Sequence, residues 1–242
     1  MRKAIGSCFV VAGVVLASAA ALGADPPDLE VNPVTGVIEV VDAAWSGSNF
    51  NVRFSQVTAE GAPKGSTMLT SNSAPDVDPR IATAANGDVV VVWWRDAKID
   101  VVLYRKRILS TGVWAAERAV GRTNESGSHP RVVFVGGDAW AAYQILNANK
   151  TRSVGTQIID DDPEPFRSIV ATTAFTGDLD MQLESEMNHL WVTWIDSTTN
   201  VGYSAYDPAT GMWSLPSYES YVMDSVSAAR ERIRDRLLIA LN

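Results

Sequence analysis

Cysteine is almost missing from this chain: Cys8 is the only one in 242 residues. It sits in the apolar N-terminal stretch, so the rest of the chain has no disulfide and must be held by its core. Histidine is nearly as scarce, and neither His129 nor His189 has a partner at zinc spacing. Basic charge is short as well, with 20 Lys and Arg against 28 Asp and Glu. A net charge of −8 argues against nucleic acid as a partner and predicts repulsion from anionic membrane surfaces. No cofactor motif is present. A Ser-His-Asp triad would need Ser126 or Ser128 beside His129, without a nucleophile-elbow signature around either serine.

What is present begins with Met1-Arg2-Lys3, an apolar run from Ala4 to Leu22, and an abrupt Asp25-Pro26-Pro27-Asp28. A basic start, an apolar middle and small residues before the break predict a secretory signal over 1–24, cut after Gly23 or Ala24. The alternative is a membrane anchor, because about 18 apolar residues can span a bilayer. The Gly, Ala and Ser content and the Pro-rich acidic end favour export to a periplasm or the extracellular space, with no stable membrane insertion once the signal is removed.

The remainder repeats. Four lines superpose: Val37 to Val57, Gly87 to Arg107, Gly137 to Ile159 and Asn188 to Asp207. Each has an apolar strand ending in an aromatic, a polar turn and an alternating strand. The closing aromatics Trp45, Trp94, Tyr143 and Trp194 are 49, 49 and 51 residues apart. Asp96 and Asp196 each follow a closing Trp by two residues. Trp114 and Trp213 end matching Thr-Gly-x-Trp segments, and Asp78-Pro79-Arg80 and His129-Pro130-Arg131 open matching strands. A unit of roughly 40–50 residues with about four antiparallel strands marks a propeller blade.

The predicted fold is therefore all-β, a propeller-like array of about four four-stranded blades over 25–220. The blades fall near 28–74, 75–124, 125–174 and 175–220. One blade cannot bury both its faces, so the closing aromatics are expected between neighbouring sheets. A C-terminal α-helix is predicted within 221–242, where Val226, Ile233, Leu237 and Leu241 share one face and Asp235 lies off it. It would serve as a cap on the propeller or as a contact to a partner or a second copy.

The Pro-Arg openings, the Gly-Asp turn, the Val-rich strand ending in Trp and the Gly-x-Trp closure resemble bacterial sialidase-like propeller repeats. The resemblance spans about Val31 to Tyr218. It implies a glycan-active superfamily whose enzymes bind the substrate carboxylate with three arginines and use a Tyr nucleophile activated by Glu, with an Asp acid/base. Arg80 and Arg131 match two of those arginines. The fourth unit has Asp180-Met181 instead, and neither an Arg-Ile-Pro motif nor an intact Asp box exists. Four units also fall short of the six blades of such enzymes.

Those departures predict a non-catalytic module for ligand or protein binding, with no catalytic residue, metal or cofactor. The expected ligand-binding residues are Arg80 and Arg131 at the axial mouth, with Asp96 and Asp196 in loops after the closing aromatics. Carbohydrate or an envelope protein is the expected partner. The alternatives are a sialidase-type enzyme and a structural subunit that completes a larger ring by oligomerising. For Arg80 and Arg131 the competing role is an ion pair with Asp78. Asp160-Asp161-Asp162 with Glu164 lacks calcium-loop spacing and reads as a solvated acidic turn.

Overall fold

The computed structural model describes residues 26–122, 124–159, 167–173, 180–186, 189–195 and 200–220. They form four antiparallel sheets in chain order. The first holds β1 (Asp28–Val31), β2 (Ile38–Trp45), β3 (Phe50–Val57) and β4 (Pro63–Met68). The second holds β5 (Asp76–Thr83), β6 (Val89–Arg95), β7 (Val101–Arg107) and β8 (Arg118–Ala119). The third is built from β9 (Ser126–Val135), β10 (Asp138–Leu146), β11 (Arg152–Ile159) and β12 (Arg167–Thr172). The fourth has β13 (Asp180–Glu186), β14 (His189–Ile195) and β15 (Asn200–Asp207). Its last edge is shared by β16 (Met212–Trp213) and β17 (Ser217–Ser220), both paired with β15.

Each of the four superposable sequence lines is the central hairpin of one sheet. The central strands are apolar because both their faces are covered. In β6, Val89, Val91 and Trp93 face the first sheet, while Val90 and Val92 face the third. Three such seams join the sheets in series: first to second, second to third, and third to fourth. The outermost strand β4 is exposed along its length, and Lys64 and Pro63 there discourage pairing with another chain. Trp114 and Trp213 hold equivalent places, each pairing with the end of a third strand, at Arg107 and Tyr206.

The closing aromatics do not share one environment. Trp45 is 52 % exposed and touches only the edge of Phe50 among the ring contacts at that end. Trp94 faces the third sheet, whereas Tyr143 and Trp194 each face the sheet before their own. The residue equivalent to Tyr143 in the second sheet is Trp93, fully buried against the first sheet. A one-residue difference reverses the face of a strand side chain. The 49 residues from Trp94 to Tyr143 thus relate positions on opposite faces. The predicted C-terminal helix and signal lie outside the described residues. Among the described residues no helix is long and apolar enough to cross a membrane.

Candidate functional site at the propeller axis

The inner strands β1, β5, β9 and β13 converge on the axis. In β5 and β9 the chain does something uncommon: Asp78 and His129 both take positive φ, 47° and 52°, immediately before proline. β-branched or bulky residues rarely adopt this region, and a following proline disfavours it further. Each produces a β-bulge, with the register slipping between Val77 and Arg80 and between Ala142 and Gln144. Proline is tolerated because the inner strand is a sheet edge. The bulges re-aim the next side chains, Arg80 and Arg131, toward the axis. The fourth sheet, with Asp180-Met181 at this point, runs in unbroken register.

Both arginines reach the same carboxylate. Arg80 Nη2 pairs with Asp78 Oδ1, and Arg131 Nη1 donates to Asp78 Oδ2 at 3.1 Å. Arg131 also donates from Nη1 to the Pro130 carbonyl at 2.8 Å and from Nε to the Met181 carbonyl at 2.9 Å. One guanidinium therefore ties the second, third and fourth sheets. On the other side, the Ile81 N–H donates to Asp28 Oδ2 at 2.9 Å, tying the first sheet to the second.

Two adjoining clefts occupy the centre. One, of about 250 Å³, is lined by Asp28, Glu30, Arg80, Arg131 and Gln182. The other, of about 440 Å³, runs from Glu30 past Thr83 and Phe134 to Glu184, Ser185 and Trp191. Burial raises the Asp28 carboxyl above its ordinary range, against the opposing bond from Ile81 and the charges of Arg80 and Arg131. Glu30 is pushed up to about 7 by loss of solvation first, then by the charges of Asp28 and Glu39. It stands at the cleft mouth with water on one side, so its charge is partly screened. The result is a small polar chamber holding two guanidiniums, an amide and two carboxyls, of which Glu30 changes between protonated and ionised forms near neutrality. It offers hydrogen-bond donors and acceptors side by side.

Arg80 and Arg131, expected together at the axial mouth, are together there, and each also makes the competing ion pair with Asp78. Asp96 is not with them: it is exposed in the β6–β7 loop and lines neither axial cleft. Asp196 lies outside the described residues, as do Asp160, Asp161, Asp162 and Glu164. Two of the described loops after the closing aromatics spend polar groups internally. Asn49 donates to the carbonyls of Asn72 and Ala74 at 2.8 and 2.9 Å, and Thr151 Oγ1 donates to Asn149 Oδ1 at 2.7 Å. No group of three metal-ligating side chains occurs among the described residues. His129 stacks on Trp94, with ring centroids 5.5 Å apart.

Asp28 and Glu30 were not found from sequence. They lie on a four-residue strand directly after two prolines, too short to show the repeat, although their alternation about Leu29 puts both on one face. A Tyr-Glu-Arg cluster also exists away from the axis. Tyr143 Oη donates to Glu125 Oε1 at 3.0 Å, Arg167 Nε donates to Tyr143 Oη at 3.0 Å, and Arg167 pairs with Glu125. Burial raises the Tyr143 phenol further above its usual range, so it remains a proton donor inside the second seam.

Comparison with solved structures fits this architecture. A Hadza microbial sialidase superposes with a TM-score of 0.57 over 81% of this chain at 12% identity. The fold is a sialidase-like propeller. An exo-β-1,3-galactanase from Clostridium thermocellum gives 0.54 over 81% at 14% identity, and Trypanosoma rangeli sialidase with the inhibitor DANA gives 0.54 over 78% at 10%. The propeller spans only 46%, 48% and 37% of those proteins' lengths, respectively. No family model and no curated protein sequence matches it.

Proposed function

We propose that the protein is an exported, non-catalytic carbohydrate-binding module whose ligand enters the axial cleft. The observation that carries this reading is the convergence of Asp28, Glu30, Arg80, Arg131 and Gln182 from all four sheets on one polar chamber. Sugar hydroxyls both donate and accept, and this mixture of guanidinium, amide and carboxyl groups suits them. Structural kinship with sialidases and a galactanase supports a glycan-directed fold. The arginines are already shared with Asp78, which weakens them as free anion clamps. Within the smaller cleft Asp28 and Glu30 project from one strand, on one wall, whereas a hydrolase places its carboxyls on either side of the scissile bond.

A second reading, glycan processing, draws on one fact: Glu30, pushed up to about 7 beside Asp28, keeps a proton available near neutral pH. The two readings separate in one experiment. Glycan-array binding is followed by calorimetry and by incubation of each bound glycan with the protein. Binding without product release, lost in Gln182→Ala and retained in Glu30→Gln, supports the binding module. Product release abolished by Glu30→Gln would establish the enzyme instead. Silence across the array would rule out both.

A further inference from the structure

The three seams leave two faces over. The first sheet turns Leu29, Ile38, Val40 and Val57 away from the stack, and the fourth turns Trp191, Thr193, Ile195 and Val201 away from it. These residues are apolar apart from Thr193, and most are deeply buried: Val40 is 2 %, Trp191 1 % and Val201 0 % exposed. Among the described residues, however, no apolar cluster joins the first sheet to the fourth. The described sheets do not by themselves account for the burial of these two faces, which leaves chain outside the described residues as a candidate cover.

Few segments qualify. The internal ones have seven residues or fewer, the longest being 160–166 and 174–179. Residues 1–24 read as a leader removed on export. The segment after Ser220 remains. It leaves from the free edge of β15 at Asn200, on the fourth sheet itself. Its stripe of Val226, Ile233, Leu237 and Leu241 is interrupted by Arg230 and bordered by Arg234, charges that match the Glu184 paired with Trp191. Length agrees as well. Helical geometry over Met223 to Leu241 would run about 28 Å, close to the roughly 26 Å of an eight-residue strand.

We propose that Met223–Leu241 docks as an amphipathic helix between the outward faces of the first and fourth sheets, closing the four-sheet array within one chain. The surface that would otherwise recruit a second copy is then occupied by the protein's own C-terminus. The inference does not depend on what the axial cleft binds.

The test uses the exported chain with any retained Cys8 changed to Ser, a nitroxide on Asp235→Cys, and isotope-labelled methyl groups. Asp235 lies opposite the stripe, so the label avoids the contact. Signals of Val40, Val57, Ile195 and Val201 should be lost, while those of Val90 and Val102 in the second seam persist. A mixture of spin-labelled, isotope-free chains with isotope-labelled, spin-free chains should show no such loss. Loss in that mixture would mean that a second copy supplies the helix, and loss in neither sample would place the segment elsewhere. Either result overturns the proposal. As an independent readout, Leu237→Asp should increase binding of a hydrophobic dye to an otherwise folded protein, and unchanged dye binding counts against it.

Discussion

At the scale of single residues, buried charge decides where this protein is vulnerable. Glu39 is fully buried in the first seam and paired with Arg107, whose guanidinium lies 4.7 Å over the Phe54 ring and 5.6 Å from that of Trp114. Gln56 and Thr83 complete its bonds at 3.2 and 3.3 Å. Removing one partner strands the other charge in the core, so Glu39→Ala should lower unfolding free energy by about 3–5 kcal/mol. Replacing both, as Glu39→Leu with Arg107→Met, should cost much less; denaturant titration of the three proteins checks this. Glu30 behaves differently because it faces water. Its pKa rises from 4.5 to about 7 on folding, so the folded state holds the proton more tightly. That contribution is complete below 4.5 and is lost as pH climbs through 7. Denaturation midpoints measured at about pH 5 and about pH 8 should fall less in Glu30→Gln than in the parent.

At the scale of elements, close approach between hairpin strands sets the tolerance of the fourth sheet. A methyl group on Gly202 of β15 would stand 2.3 Å from the indole of Trp194, which is fully buried and cannot retreat. Gly202→Ala should therefore destabilise by about 1–3 kcal/mol through overpacking. Gly65 in the exposed strand β4 has no atom within 4 Å of such a methyl, and Gly65→Ala should lie within about 0.5 kcal/mol of the parent. Thermal melts of the two variants, run together, distinguish packing from backbone entropy. The bulges are the other element-level device. Identical Pro-Arg openings in β5 and β9 each follow a left-handed residue, and so they present two arginines to the axis, where a regular edge would alternate past it.

At the scale of the molecule, the sheets form a series joined by three apolar seams, with inner edges laced by Arg131, Asp28 and Ser185. No disulfide contributes beyond residue 8. Melting temperatures with and without reductant should therefore coincide, and a shift would reveal an intermolecular cross-link. The shape of the array was readable because its units repeat: four superposable lines became four central hairpins. The site was readable only in part. Arg80 and Arg131 announced themselves by recurring 51 residues apart, whereas Asp28 and Glu30 belong to a four-residue inner strand too short to show the repeat. Asp96 shared the period and still fell outside the clefts, since it sits beyond the end of β6 while the axis is lined by inner strands.

The amino-acid sequence by itself determined the all-β class, the four-unit period, the Pro-Arg openings and the absence of disulfide support. Those follow from local signals: alternation, turn chemistry and recurrence. Tertiary structure alone decided which face each aromatic buries, because a one-residue offset invisible in a spacing of 49 reverses a strand side chain. It alone decided that one aspartate, Asp78, serves two arginines from different sheets, and that a short first strand brings Asp28 and Glu30 beside them. Such contacts join residues dozens of positions apart, and only the stacking of whole sheets around an axis sets their distance.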